Sequence, residues 1–396
     1  MSDRRPLRIL MLCPQFRPLL GGYERAAERL SIGLARQGHS VTVVTERASR
    51  EWPPLETRDG VNVRRLWCLP YAGVHTISAL CSLGLFLLLR GHRYDVWHAH
   101  QYGIRTAVAI AIGKIVGRPV VLKLTNTGNL GLAMSLDRER LRGFVRARHR
   151  EVDAVVATTR ETRDEALRFG IAPERVHVFG NPVDISDFNA PADAGKPAAR
   201  AAVGVEAAGV VLYVGRLTPQ KNPEALLESW SQARHEMPGW QLHILGDGPM
   251  ATRLRELIAQ AGIESCTFLH GPQRNVPAWL KAADIYVMPS VLEGLSNSLL
   301  EAMASSLPTV CTQVSGVDEL ITEPGAGIVV RQGDIPGFAR GLVTLAADPG
   351  LRLTMGRIAR RVVESRFSID LIAAQHAGLY DRLAAGRRTD ASRLSA

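Results

Sequence analysis

The sequence predicts an α/β protein made of two doubly wound parallel sheets, and three observations lead there. Short apolar runs alternate with amphipathic stretches along nearly the whole chain, the pattern of buried parallel strands covered by helices on both faces. At 396 residues the chain exceeds what one hydrophobic core usually holds, so two domains are the default. Between residues 186 and 204 the alternation lapses into Pro191, Ala192, Gly195, Pro197 and several alanines, which reads as a linker with a short helix.

In chain order, residues 7–13 form an apolar run too short for a signal peptide and read as the first strand. Gly21 and Gly22 open a helix that runs toward Gln37 and stops at Gly38. Further strands are expected at 40–45, 61–67, 95–98, 119–124, 153–157 and 175–179. The longest apolar run, Thr76 to Leu89, falls short of the roughly twenty residues a membrane-spanning helix needs, and reads as a core or interfacial helix. The second half restarts with a strand at Val210–Val214, followed by strands at 241–245, 266–269, 284–288, 308–311 and 327–330. Helices between them include 222–235, 250–261 and 297–305. Phe367–Leu383 reads as a last helix, and residues 386–396 are expected to fray. The expected domains are therefore 1–185 and 186–365, with 366–396 as a C-terminal helix and tail.

Composition narrows the function classes. A hydrophobic share of 46% and a charged share of 22% exclude a disordered chain. The five cysteines, Cys13, Cys68, Cys81, Cys266 and Cys311, are scattered and include no C-x-x-C pair, which argues for a reducing cytosol and against a disulfide framework or a cysteine-based zinc site. The net charge of +10 is uneven: residues 1–184 hold 28 Lys+Arg against 17 Asp+Glu, so the excess lies entirely in the first half. Arg138, Arg140, Arg142, Arg146, Arg148 and Arg150 crowd one segment with Leu141, Phe144 and Val145. Such a basic amphipathic helix can lie on anionic lipid, which is the favoured functional reading, with a solvated arginine-rich face as the structural alternative. No nucleic-acid-binding motif accompanies it.

The most informative segment runs from Met288 to Ala304, where a strand passes through Gly294 into an apolar helix and Glu293 and Glu301 stand with seven residues between them. In a doubly wound sheet this turn lies at the carboxyl ends of the strands, where ligands bind. The helix N-terminus, placed at the amides of Leu295 and Ser296, favours a phosphate. Glu293 then sits in the loop above that phosphate, and Glu301 on the helix can grip a ribose hydroxyl pair. The competing reading is structural: Ser298 and Glu301 also fit a capping box. Upstream, Arg216 and Lys221 leave the end of the first strand of the second half. They can neutralise a diphosphate, or simply be solvated.

As a whole, Pro289-Ser290 through Glu301-Ala302-Met303-Ala304 resembles the E-x7-E signature of the retaining family-four glycosyltransferases. The resemblance implies the two-domain GT-B fold, with a nucleotide-sugar donor in the second domain and an acceptor in the first. It implies Glu293 on the sugar hydroxyls, Arg216 and Lys221 as a diphosphate clamp, Glu301 on the ribose, and Gly294, Leu295 and Ser296 against the phosphate. The turn at Gly246 would lie beside the nucleotide, and the loop carrying Arg274 would border the base. Gly21 and Gly22 match the family's glycine loop, and Gly180-Asn181-Pro182-Val183-Asp184 its Asn-Gly-Val-Asp, with Pro182 in place of glycine. The last helix would cross back to the first domain. His98 and His100 end a strand without a third metal ligand in sight; His100 is taken as a cleft residue and His98 as packing.

One departure matters: where the family carries a histidine, this chain reads Asn126-Thr127-Gly128. A retaining transfer can proceed without that base, because the departing phosphate oxygen can itself accept the acceptor's proton. The resemblance thus implies a retaining hexosyl transfer with no metal and no other cofactor. The basic first half and Thr76–Leu89 point to a lipid-linked saccharide acceptor, in polysaccharide or glycolipid synthesis, at an anionic membrane surface on the inner face of the cell membrane. A soluble transferase acting on a small metabolite, and a non-catalytic sugar-nucleotide-binding protein, are the alternatives.

Overall fold

A computed structural model of the chain describes residues 5–18, 21–71, 74–125, 131–137, 141–188 and 195–394. It divides into two units, Met1–Pro182 with Ile369–Ala396, and Val183–Ser368.

In the first unit the strands are β1 (Arg8–Leu12), β2 (Ser40–Glu46), β3 (Leu55–Arg58), β4 (Val61–Leu66), β5 (Val96–Ala99), β6 (Val120–Leu124), β7 (Ala154–Ala157) and β8 (Val176–Val178). They form one sheet in the order β3-β4-β2-β1-β5-β6-β7-β8. Its helices are α1 (Gly22–Arg36), α2 (His75–Arg90), α3 (Ile104–Val116), α4 (Leu132–Asp137), α5 (Arg142–Arg150) and α6 (Arg160–Arg168). The strands are parallel except β3, which pairs antiparallel with β4. Every residue of β5, β6 and β7 is buried, because helices cover both faces. Successive strand residues serve opposite faces: Ile9 and Met11 enter one core cluster, Leu10 and Leu12 the other.

The second unit repeats the plan. After α7 (Lys196–Ala202) come β9 (Gly209–Val214), α8 (Pro223–Ala233), β10 (Trp240–Leu245), α9 (Ala251–Gln260), β11 (Thr267–Gly271), α10 (Val276–Ala282), β12 (Ile285–Met288), α11 (Asn297–Ala304), β13 (Thr309–Thr312), α12 (Ser315–Leu320), β14 (Ile328–Val330), α13 (Ile335–Ala347) and α14 (Pro349–Arg366). All six strands are parallel, in the order β11-β10-β9-β12-β13-β14. Val210 and Leu212 pack on one face of the sheet, Val211 and Tyr213 on the other. Where the chain leaves this unit, the Val183 amide donates to the Phe367 carbonyl at 2.9 Å. The last helix, α15 (Ile369–Leu394), belongs to the first unit, where Ile372, Ala373, Leu379 and Tyr380 join the cluster built on α1 and β1.

The expected strands all form, and the structure adds two corrections. β3 has no expected counterpart: Leu-Glu-Thr-Arg is a polar, exposed edge strand held on one side only, so it carries no apolar alternation. Helix α15 runs on to Leu394, through the stretch expected to fray from residue 386. The arginine-rich helix forms as α5 over Arg142–Arg150; Arg138 and Arg140 lie outside the described residues.

Candidate active site

In the second sheet the strand order reverses between β9 and β12, which lie side by side with connections leading away in opposite directions. Loops leaving the carboxyl ends of such a pair enclose the usual ligand crevice of an open α/β sheet. Here those loops are Gly215–Asn222 and Pro289–Ser296, the two segments that carry Arg216, Lys221 and Glu293.

The loops are fastened together. The Val291 amide donates to the Gln220 carbonyl at 2.9 Å, and Gln220 Nε2 donates to the Leu292 carbonyl at 3.0 Å. Asn222 sits in the left-handed region, which ends the loop sharply before Pro223 starts α8. This geometry brings the Lys221 ammonium onto the Glu293 carboxylate as an ion pair. Glu293 is 7% exposed and also accepts from the Ser290 hydroxyl at 3.2 Å. The Ser290 carbonyl is in turn held by the Thr312 hydroxyl of β13. Arg216 is exposed on the same loop and makes no ion pair with another described residue. Its carbonyl accepts from the Tyr213 hydroxyl at 3.0 Å. Burial, with Glu293 nearby, pushes the Tyr213 phenol well up, so it stays a donor.

Helix α11 begins at Asn297, and Ser296 is its N-cap, accepting from the Leu299 amide at 3.4 Å. The capping-box reading of Ser298 with Glu301 therefore does not hold. Ser298 instead accepts from the Tyr286 hydroxyl at 2.8 Å, and Glu301 stands on the second turn, 2% exposed. Gly294 and Leu295 precede the cap; Leu295 is buried in the core and the Gly294 carbonyl lies against Gly316, where a Cβ would come within 1.6 Å of it.

The turn after β10 closes on the first loop from the other side. The Leu217 amide donates to the Asp247 carbonyl at 2.9 Å, and the Met250 amide to the Leu217 carbonyl at 3.0 Å. Gly246 has φ +143°, and a Cβ there would stand 1.8 Å from the Gly215 carbonyl oxygen, so no other residue fits. Arg274 is exposed in the loop between β11 and α10. Beside that loop His243 stacks on Phe268 and His270, with Trp279 tilted against His270 and His243 Nδ1 2.8 Å from His270 Nε2. Burial, then His270, lowers His243 to about 4, so it is neutral near pH 7.

The remaining expected residues lie in the first unit. Gly21 caps α1 and Gly22 starts it. His100 is buried rather than open to solvent: it lies 4.3 Å from the His98 ring, with its Nε2 3.4 Å from the Met11 sulfur. His98 Nδ1 meets the Tyr380 hydroxyl of α15 at 2.6 Å. Close by, the buried Lys123 ammonium donates to Asn181 Oδ1 at 2.8 Å and is lowered to about 8 by burial. Asn126 and Thr127 lie outside the described residues. Among the described residues one group is close enough to hold a metal ion, Glu46, Cys68 and His75 of the first unit, and there the Glu46 carboxylate already takes Arg105 Nε at 2.5 Å.

Sequence reasoning missed Ser290, Thr312 and Gln220 as parts of this site. Only Ser290 carried a signal, in the Pro-Ser that opens the two-glutamate segment.

Comparison with known proteins follows the same division. Residues 208–348 match the family model described as glycosyl transferases group 1, and residues 21–182 match a glycosyl transferase 4-like domain. A D-inositol 3-phosphate glycosyltransferase of Streptomyces bingchenggensis is 30% identical, over 97% of this chain and 91% of its own length. An alpha-D-kanosaminyltransferase of Streptomyces kanamyceticus is 29% identical, over 72% of this chain and 76% of its own. Among solved structures, Anabaena HepE in complex with UDP-glucose superposes with a TM-score of 0.79 at 20% identity, over 95% of this chain and all of its own.

Proposed function

Because the chain belongs to the group 1 glycosyltransferases and has their GT-B fold, we propose that it transfers a hexosyl group with retention and without a metal, from a nucleotide sugar bound by the second unit. That it is a glycosyltransferase using a nucleotide-sugar donor follows from the family; the stereochemistry, the residue roles and the acceptor are the proposal.

The observation that carries the reading is the Lys221–Glu293 pair at the β9/β12 switch point, with Arg216 exposed on the same loop. Lys221 and Arg216 take the diphosphate and stabilise its charge as it departs, which removes the need for a divalent cation. Glu293, held by Ser290, binds sugar hydroxyls near the reacting carbon. Glu301, buried on the second turn of α11, binds the ribose, and the Gly246 turn lets the backbone approach the nucleotide. In the transfer, the bond from the anomeric carbon to the phosphate oxygen breaks and the bond to the acceptor oxygen forms on the same face. The departing oxygen takes the acceptor's proton, so neither Thr127 nor any other side chain has to serve as base.

The proposed acceptor is a membrane-associated, lipid-linked saccharide, reached from the inner face of the membrane by a first unit rich in positive charge. No helix of the described residues is long and apolar enough to cross a membrane. A second reading, a small soluble acceptor, is favoured by the relative that bears the name D-inositol 3-phosphate glycosyltransferase. The anomeric configuration of the product, read by NMR in the presence of chelator, tests the chemistry. A product with the donor's configuration and undiminished turnover is expected; inversion, or loss of turnover on chelation, would overturn it. Tight nucleotide binding with no turnover on any acceptor would favour a non-catalytic binding protein.

A further inference from the structure

Helix α2 buries one face and leaves another that is just as apolar uncovered. Ser78, Ala79, Phe86 and Leu87 point inward. The outward stripe is Val74, Ile77, Cys81, Leu85 and Leu88, spaced by three or four residues as one face of a helix requires, with Leu89 beside it. Ile77, Leu85, Leu88 and Leu89 are between 50% and 63% exposed. Just before the helix, Trp67 and Tyr71 are also exposed, and these two residue types favour the boundary between water and hydrocarbon. Isolated exposed leucines need no explanation, but a contiguous stripe of them marks a docking surface.

Charge identifies the occupant. From Gly60 to Tyr94 the chain holds no acidic residue, and Arg90 and Arg93 follow the stripe. An apolar face ending in arginines, flanked by Trp and Tyr, and shorter than a membrane span, is the make-up of a helix lying in the headgroup layer of an anionic bilayer. The arginine-rich α5 is the weaker claimant, because three of its four arginines are engaged within the protein. Arg146 pairs with Asp137 at 2.7 Å and covers the Phe169 ring at 4.9 Å. Arg148 pairs with Glu151 at 2.7 Å, and Arg150 donates to the Phe169 carbonyl at 3.1 Å.

We propose that the outer face of α2 is the protein's membrane seat, sunk into the headgroup layer of an anionic lipid bilayer, with Trp67 and Tyr71 at one end and Arg90 and Arg93 at the other. The inner face of the same helix supplies Ala79, Ser82 and Leu83 to a cavity of about 40 Å³ that also contains Leu66, Glu46 and Arg105. Seated there, the first unit meets an acceptor embedded in the same bilayer. This deepens, and in that respect rests on, the reading of the acceptor as membrane-associated.

Cys81 lies within the stripe and is the exposed cysteine among five, so it reports the contact directly. The full chain, labelled at Cys81 with an environment-sensitive fluorophore, is mixed with vesicles of phosphatidylglycerol in phosphatidylcholine and then floated. The label is expected to enter an apolar environment as the protein floats. The quadruple variant Ile77→Ser, Leu85→Ser, Leu88→Ser and Leu89→Ser is expected to lose vesicle partitioning on the order of a hundredfold. Its thermal midpoint and nucleotide-induced stabilisation should match wild type, which shows that it folds. Vesicle binding with a water-like Cys81 label, or undiminished binding by the variant, would overturn the seat. So would a wild-type dimer that the variant dissolves while neither binds vesicles, since the face would then be covered by a second copy. The acceptor reading fails separately: lost vesicle binding with unchanged kcat/KM on a vesicle-embedded acceptor would refute delivery from the bilayer and leave the seat standing.

Discussion

Replacing Lys221 with alanine separates the site's two uses of that cation. In the structure its ammonium neutralises Glu293, whose carboxylate also accepts from the Ser290 hydroxyl. Removing one partner of a fully buried pair costs about 3–5 kcal/mol, whereas exposed pairs contribute less than about 1 kcal/mol. With side chains 17% and 8% exposed, this pair falls between, at about 2 kcal/mol of stability. The catalytic loss is separate and larger. A preorganised donor aimed at developing negative charge is worth about 100- to 1,000-fold in rate. The assay combines urea unfolding with kcat/KM at varied nucleotide sugar for Lys221→Ala, Glu293→Gln and the double variant. Because the double variant leaves no unpaired charge, it should regain most of the lost stability but none of the lost kcat/KM. Recovery of both together would refute a role for Lys221 at the diphosphate, as would a single variant within threefold of wild-type kcat/KM.

Other outcomes follow from the same contacts. Gly246→Ala should destabilise the second unit by about 3 kcal/mol or more, read by urea unfolding, since the added carbon meets a backbone carbonyl at 1.8 Å. Gly262→Ala, with a positive φ but nothing within 4 Å, should cost only about 1 kcal/mol. Folding holds His149 and His243 at about 4 and His376 at about 3, below the ordinary 6.5, so the unfolded chain binds more protons between those limits. Stability present above pH 6.5 should therefore fall as pH drops toward 4, and each histidine replaced by phenylalanine should flatten that fall. Lys123, lowered from 10.5 to about 8, acts in the same direction at alkaline pH: wild type should gain stability relative to Lys123→Met as pH rises from 8 to 10, by about 3 kcal/mol at most.

Much of the fold was legible because buried parallel strands are continuous apolar runs, and β5, β6, β7, β12 and β13 are buried at every position. β3 was not, since an exposed edge strand of Leu-Glu-Thr-Arg lacks that signature. At the site, Glu293, Glu301, Arg216 and Lys221 stood out as residue types placed after strands. Their arrangement did not: Lys221 and Glu293 are 72 residues apart, and only the adjacency of β9 and β12 brings them together. Local pattern also offered a false alternative. Ser298 and Glu301 have capping-box spacing, yet the helix starts at Asn297, so the cap falls to Ser296 and the Ser298 hydroxyl accepts from Tyr286. The buried group of His98, His100, His376 and Tyr380 draws on β5 and α15, nearly three hundred residues apart, and left no sequence signal beyond the His-x-His itself.

If the β9/β12 switch point, with Glu301 behind it, holds the nucleotide of the donor, nucleotides should stabilise the protein through Glu301. Thermal unfolding of wild type and Glu301→Ala in the presence of UDP, GDP, ADP and their sugars measures this. A nucleotide at one hundred times its dissociation constant stabilises by about 2.7 kcal/mol. A clear upward shift for one nucleotide and its sugars is expected in wild type, abolished in Glu301→Ala. An equal shift in both proteins, or no shift with any nucleotide, would contradict it.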